Sequence, residues 1–486
     1  MTEITFATTT TSTFPRRHGT TGSTGSSSRS RSRLNATVMW AVFVLLLILP
    51  FELGGNRPLA WAIHAVLLSL LGTYYFTALL LRHQVPRIGF GEIGLPAAMV
   101  AAFMIFIVVQ ALPIGSYLPA AMTALPSGVP PVQSISISPG DTILALLRWI
   151  NIAFIAYFSI QIAANSKRTP RFLGLLFGVV ALHAIYGLML RFWFDDTILF
   201  TEKWAYQGFA TGGFVNRNSF ATFLAIGACI GTVRLLDAFR HRPQGRVFLL
   251  WVLDMRDGPL LTLLGTLMVL IALVATGSRV GVIAGGAGMA LAAVLFFAKR
   301  PEARSRRHQR GLLAVAIPVI LIIGLLVLFG PQLIDRFTTV EESTDVRMQL
   351  YEQILRMITD RPWAGFGGGT FEYAYPLYHQ APVDFDFVWD RAHSSYLALW
   401  SEYGVIFGSL PMLAMASILI LLIAAYFRGQ KADVIIIAAI ASTLAVMIHS
   451  AVDFSLEMHA VTLLYAALLA GAAGKALSAR QGAGEG

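Results

Sequence analysis

The sequence holds a single cysteine, Cys229, and that residue lies inside an apolar run. A disulfide within the chain is therefore excluded, and the thiol says nothing about redox compartment. Charge is also scarce: Asp, Glu, Lys and Arg supply 13% of the residues, against about 25% in an average soluble domain. Hydrophobic residues supply 56%. No single soluble core can bury that surplus, so lipid must solvate much of it, and dividing the length into soluble domains does not apply. Acids are outnumbered by bases, 26 to 36, for a formal net charge of +10. Nucleic acid is excluded as the reason, because the bases sit between apolar runs, where they encode orientation in a membrane.

What is abundant is the apolar run of about 20 residues, long enough to cross a bilayer core of about 30 Å. The runs predict an all-α polytopic integral membrane protein with about 12 transmembrane helices, at 38–53, 59–82, 93–112, 142–165, 171–194, 218–239, 258–276, 279–298, 311–330, 404–427, 433–452 and 459–478. Thr276-Gly277-Ser278 reads as a tight turn, since one continuous helix there would run about 40 residues, well beyond a bilayer. Residues 1–36, rich in Ser, Thr, Gly and Arg, read as a disordered basic tail. A cleaved signal peptide is the rival, but the tail is too long and no small-residue cleavage site follows a short apolar core. Residues 37–478 form one membrane domain and 479–486 a C-terminal tail.

Charge tests this layout. With the N-terminus in the cytoplasm and strict alternation, inner segments hold 24 of the 36 Lys and Arg, and outer segments hold nine. Five of those nine fall in one long outer loop, 331–403, between the ninth and tenth spans, while the outer loop 113–141 holds none. The asymmetry places both termini in the cytoplasm. The loop 331–403 is mixed and aromatic, with a helical stretch near 344–359, and loops of such length usually carry a role. Gly281 and Gly285 form a GxxxG pattern that marks close helix packing.

Alternation gathers three polar clusters on the outer face: Phe214-Val215-Asn216-Arg217-Asn218, Thr276-Gly277-Ser278-Arg279, and His393-Ser394-Ser395-Tyr396-Leu397. Charges at membrane helix ends are costly and often functional. Arginine presents a planar fork that matches phosphate oxygens, which suits a lipid-linked diphosphate. A neutral histidine can take a proton from an attacking hydroxyl. A diphosphate is already a good leaving group and needs charge stabilisation, which arginines supply. Arg148 and Arg191, inside their spans toward the outer ends, are secondary phosphate candidates.

Plainer readings stand beside these. An arginine at a helix end also serves as a snorkelling anchor, and Arg234, near an inner end, reads as one. A lone histidine is often interfacial or capping. Asp384-Phe385-Asp386 resembles a DxD metal motif but reads equally as a solvated turn, and no other carboxylate cluster has ligand spacing, so no metal and no cofactor are expected. The segment Gly365-Phe366-Gly367-Gly368-Gly369 lacks a following Lys-Ser or Lys-Thr, so it is no P-loop but a turn. Asp453, after His449 and Ser450, reads first as part of a structural hydrogen-bonded pair.

Taken in order, Gly213-Phe214-Val215-Asn216-Arg217-Asn218-Ser219-Phe220-Ala221, Thr276-Gly277-Ser278-Arg279, Arg361-Pro362-Trp363-Ala364-Gly365-Phe366-Gly367 and His393 followed by Tyr396, Glu402 and Gly404 resemble the O-antigen ligase and Wzy-type polysaccharide polymerase family. Ten residues separate His393 from Gly404, as in that family's His-x10-Gly pattern, and His449-Ser450-Ala451-Val452-Asp453-Phe454 is similar to its C-terminal signature. One departure is Ile283, where the ligase pattern after Arg279 has leucine.

The resemblance implies a GT-C-like, metal-independent inverting glycosyltransferase of the bacterial inner membrane, its site and the loop 331–403 periplasmic. It implies an undecaprenyl-diphosphate-linked glycan as donor, a glycan or lipid as acceptor, the bilayer as surroundings, and polysaccharide chain-length or export proteins as possible partners. Arg217 and Arg279 would bind the diphosphate and His393 would be the base or position the acceptor. The alternative is a lipid-linked oligosaccharide flippase or polysaccharide transporter without catalysis. Transporters usually carry internal repeats and polar residues near the midplane, whereas the suspicious charges here lie at outer ends. A non-catalytic scaffold is a third reading.

Overall fold

A computed structural model describes residues 23–126, 129, 132–241, 243, 245, 247–254, 259–299, 340–383, 388–430 and 433–484. Its main helices are α1 Ser23–Ile48, α2 Pro58–Leu81, α3 Gly94–Ala111, α4 Pro139–Ala163, α5 Thr169–Phe192, α6 Arg217–Arg240, α7 Leu260–Ala275, α8 Arg279–Ala298, α9 Val340–Asp360, α10 Ser395–Arg428, α11 Val434–Ser450 and α12 His459–Gly484. Among the described residues, nine helices are long and apolar enough to cross a membrane, and α7 and α11 are shorter apolar helices. The chain is an all-α polytopic membrane protein. The expected span 311–330 and the Asp384-Phe385-Asp386 triplet lie outside the described residues.

Two boundaries differ from expectation. Helix α1 begins at Ser23, so residues 23–36 are helical rather than a disordered tail. Within this segment Arg31 Nη1 donates to the Val85 carbonyl at 3.2 Å and Asn35 Nδ2 to the Gln161 carbonyl at 3.1 Å, while Leu34 is buried. Helix α12 likewise runs past 478 to Gly484, and Gln481 Nε2 donates to Glu92 Oε1 at 2.6 Å.

Helices α6 and α12 are the most enclosed spans, and α3 and α10 the least. The central contact is α6 on α8. A Cβ built on Gly281 would stand 2.6 Å from the Ala221 Cβ, and one on Gly285 would stand 3.3 Å from the Ala225 Cβ. Small residues four apart on both helices let the backbones approach closely. Because the pairs advance together along both chains, α6 and α8 run parallel. Their first residues, Arg217 and Arg279, therefore share one end of the bundle.

The long loop is ordered by its own small core. Leu350, Ile354, Met357 and Ile358 of α9 are buried with Phe366, Phe371 and Tyr375, the spacing of one apolar helix face. The loop docks where α10 breaks. Gly404 adopts φ 72° and ψ 166° inside that helix, a left-handed backbone that glycine tolerates. Carbonyls freed by the break find new donors: Phe366 N donates to Ser401 O at 3.0 Å and Gly367 N to Glu402 O at 2.9 Å, while Val405 N reaches Pro362 O at 2.7 Å. The stretch starting near 393 and the span starting at 404 are thus two arms of one broken helix.

Candidate functional site

The site is built around the start of α6. Asn216 caps that helix: its Oδ1 accepts from Asn218 N at 2.7 Å and Ser219 N at 3.3 Å. This satisfies backbone donors that a helix start leaves open. The next residue, Arg217, lies over the Phe209 ring at 4.3 Å and the Tyr206 ring at 5.7 Å. The turn 276–278 abuts it, since a Cβ on Gly277 would stand 3.2 Å from Arg217 Nη1. Ser278 Oγ accepts from Gly281 N at 3.3 Å and so caps α8. Two capped helix starts, each opening with an arginine, point toward the same end, and their dipoles favour an anion there.

The turn between α11 and α12 closes this region from the other side. Asp453, 1% exposed, accepts from Asn218 Nδ2 at 3.3 Å and from the Ser455 hydroxyl. Thr222 Oγ1 stands 2.6 Å from His449 Nδ1 and 2.7 Å from Ser455 Oγ. His449 and Asp453, read from sequence as a pair, are therefore joined through Thr222 and Ser455. Burial pushes the Asp453 carboxyl up to about 6, against Ser455 and Asn218, which favour the charged form.

His393 stands next to that turn. Its ring is 5.1 Å from Phe454 and 5.6 Å from Trp389, and its backbone is left-handed, at φ 50°. Tyr351 of α9 donates to the His393 carbonyl at 2.8 Å. Burial, and then Arg347, lower its pKa to about 4, so the imidazole is neutral at pH 7. Its Nδ1 is buried and makes no hydrogen bond within the described residues.

Arg347 was not singled out from the sequence. It sits one turn before Tyr351 on α9, and its charge is felt by His393, Asp453, Tyr206 and Tyr351. Nothing in a soluble-looking loop helix marks one arginine above its neighbours. The available signal was that five basic residues crowd an outer loop, against the charge rule.

The other sequence candidates fall into different surroundings. Arg148 lies over the Trp61 ring at 4.8 Å and donates to the Glu457 carbonyl at 2.5 Å. Glu457 also pairs with Arg391 at 3.4 Å, and burial pushes its carboxyl up to about 7. Arg148 thus meets the turn at Glu457, four residues beyond Asp453. Arg191 pairs at 3.8 Å with Asp196, which holds Lys203 at 2.5 Å; Lys203 in turn donates to the Phe209 carbonyl at 2.6 Å. Arg361, 1% exposed, donates to the carbonyls of Ala124 and Ile135 at 2.8 and 2.9 Å and pins the loop 113–138 to the long loop. The structure therefore brings together the starts of α6 and α8, the Asp453 turn, His393 and Arg347, with Arg148 set apart at Glu457 and Arg191 at Asp196. Among the described residues, no three His, Cys, Asp or Glu side chains are grouped to hold a metal ion.

Residues 264–410 match the family model Wzy_C, described as O-Antigen ligase. The match bears out the resemblance drawn from the motifs and indicates an enzyme of O-antigen ligase or polymerase type. It contains Arg279, Arg347, His393 and Glu402, whereas Arg217, His449 and Asp453 lie outside it. No curated protein matches the chain.

Proposed function

We propose that this chain transfers a glycan from an undecaprenyl-diphosphate carrier to an acceptor hydroxyl at the periplasmic face of the inner membrane, as a polysaccharide polymerase or an O-antigen ligase. The observation that carries the reading is the convergence of Arg217 and Arg279, first residues of two parallel, closely packed helices, on the same bundle end as His393. Arg217, Arg279 and the two helix starts hold the donor diphosphate, with Arg347 adding charge from the loop side. Arg148 and Arg191 hold secondary positions at the margins.

The acceptor oxygen attacks the anomeric carbon from the face opposite the diphosphate and inverts it. The bond from that carbon to the phosphate oxygen breaks, and its electron pair leaves with undecaprenyl diphosphate. The arginines stabilise the charge that develops there. The hydroxyl proton goes to His393. Burial, and then Arg347, keep that imidazole neutral, so its ring nitrogen is able to take the proton. Asp453 acts through Asn218 and Ser455, holding the start of α6 in place. No step calls on a metal, because arginines and helix ends supply the positive charge.

Glycan analysis of a deletion strain tests the reading. Single repeat units on the final acceptor identify a polymerase, and long glycan stranded on undecaprenyl diphosphate identifies a ligase. Unchanged glycan in the deletion strain overturns both.

A further inference from the structure

At the opposite end of the bundle three arginines converge. Arg168, 8% exposed, donates to Ile162 O at 3.1 Å, at the end of α4, and to Ser32 O at 3.0 Å, beside Arg31 on α1. Arg31 donates to Val85 O at 3.2 Å, two residues from Arg87. Arg87 is fixed by its own amide, which donates to Gln161 Oε1 at 2.9 Å, next to Ile162. These contacts close a triangle, and all three guanidinium groups are near enough to act on the Tyr75 hydroxyl. This end lies about 20 Å from the Glu457 turn, the rise of α4 from Arg148 to Gln161.

The triangle is positive and unanswered. None of the three arginines pairs with a carboxylate among the described residues. Glu92, the acid nearest in sequence to Arg87, takes Gln481 instead. The Tyr75 hydroxyl belongs to a residue that is 0% exposed, and it has no hydrogen-bond partner; the buried Nε atoms of Arg31 and Arg87 and the Tyr157 hydroxyl also have none. Burial, and then the like charge of Arg87, lower the Arg168 pKa to about 10. Arginines that only anchor a helix end would snorkel into water, and Arg168 caps α4 instead. Capping explains that one residue and leaves the Nε donors of the other two, and both phenols, unused among the described residues.

The surroundings say what kind of anion fits. Leu80, Leu81, Val85 and Phe90 border the cluster and are 74, 78, 70 and 59% exposed. Phe90 stacks on Tyr157 at 5.2 Å. An apolar margin beside a partly buried cationic centre matches a ligand with a phosphate head and acyl chains. We propose that Arg31, Arg87, Arg168 and Tyr75 form a binding site for the phosphate of an anionic phospholipid, at the bundle end remote from the glycan-transfer site.

Full-length protein in nanodiscs, released into native mass spectrometry, tests this. The wild type should retain phosphatidylglycerol in preference to phosphatidylcholine. The double variant Arg31→Gln/Arg87→Gln should retain it about tenfold less well. Tyr75→Phe, which removes one oxygen and keeps the ring, should weaken retention by a smaller factor and covers the case of a double variant that does not fold. Titration with inorganic phosphate separates the two sources of the anion. Phosphate that competes only at far higher concentration supports the lipid, and phosphate that displaces it at equal concentration overturns the lipid assignment. Equal retention of both lipids, or unchanged retention in Tyr75→Phe and the double variant, overturns the site.

Discussion

On one side of the turn that joins α11 to α12, Arg217 lies against the faces of Phe209 and Tyr206, and Asp453 is held by an amide and a hydroxyl. On the other side, Arg391 is paired with the Glu457 carboxylate and Arg148 with its carbonyl. Asp453 and Glu457, four residues apart, stand in two settings for the same chemistry. Aromatic faces hold the Arg217 guanidinium on one side, while a carbonyl and a carboxylate hold those of Arg148 and Arg391 on the other. The proposed function places diphosphate binding on the α6 and α8 side and a supporting role on the Glu457 side.

The comparison is most exposed to replacement of the first-named arginines. Arg217→Ala and Arg279→Ala should each lower glycan transfer about 100- to 1,000-fold, the usual cost of losing a group that stabilises developing charge. Membrane abundance should stay near wild type. Lysine at either position should restore only part of the activity, because it supplies charge without the fork. Transfer measured in membrane vesicles with a lipid-linked glycan gives the answer. If Arg391→Ala costs as much as these two, the distinction between the two sides of the turn is lost.

His393 comes next. His393→Gln should cost about 100-fold, the lower range for removing a proton acceptor. Tyr351→Phe should cost far less, because its hydroxyl reaches only the His393 carbonyl, at 2.8 Å. Equal losses would mean that the loop contact, and not the imidazole, carries the effect. The two are compared in the same vesicle assay.

A pH profile sharpens the contrast between the two carboxylates. Asp453 is pushed up to about 6 and Glu457 to about 7, both by burial. Above its pKa Asp453 is an anion that accepts from Asn218 and Ser455; as pH falls through about 6 it takes a proton and that grip loosens. Transfer should therefore decline on the acid side with a midpoint near 6. His393, held near 4, stays neutral across this window and does not produce the inflection. Asp453→Asn should flatten the profile near 6 and lower activity at neutral pH, whereas Glu457→Gln should leave the inflection in place. An inflection that follows Glu457→Gln instead would move the sensitive carboxylate to the other side of the turn.

Much of this was legible in the residues, for physical reasons that can be named. Helix α8 could be placed because Ser278 caps it and an uninterrupted apolar run follows. Arg217 and Arg279 could be brought to one end because hydrophobic runs alternate in direction, whatever their separation in sequence. The start of helix α1 was not legible because Ser, Arg and Gly between 23 and 33 carry no hydrophobic period, and the contact of Arg31 with the Val85 carbonyl is tertiary. Arg347 and the role of Ser455 as the bridge between Thr222 and Asp453 were not legible, because both depend on contacts across more than a hundred residues or across a turn. The break at Gly404 was half legible. The spacing from His393 marked the glycine, but only the docked carbonyls of Ser401 and Glu402 say why a glycine is needed there.

The smallest expected effects belong to Arg148 and Arg191, and they test the margin of the site. Arg191→Gln removes an ion pair to Asp196 at 3.8 Å, but Asp196 keeps Lys203 at 2.5 Å, and Lys203 keeps the carbonyl of Phe209, whose ring backs Arg217. The ring under Arg217 should therefore stay in place and transfer should fall less than tenfold. Arg148→Gln shortens the side chain and breaks the contact with the Glu457 carbonyl, on the side of the turn away from Asp453. Its effect should also stay under tenfold and appear in the apparent KM for acceptor more than in kcat, if that side only positions the acceptor. A loss on the scale of Arg279→Ala for either variant would place the diphosphate across the turn, with both sides gripping it at once.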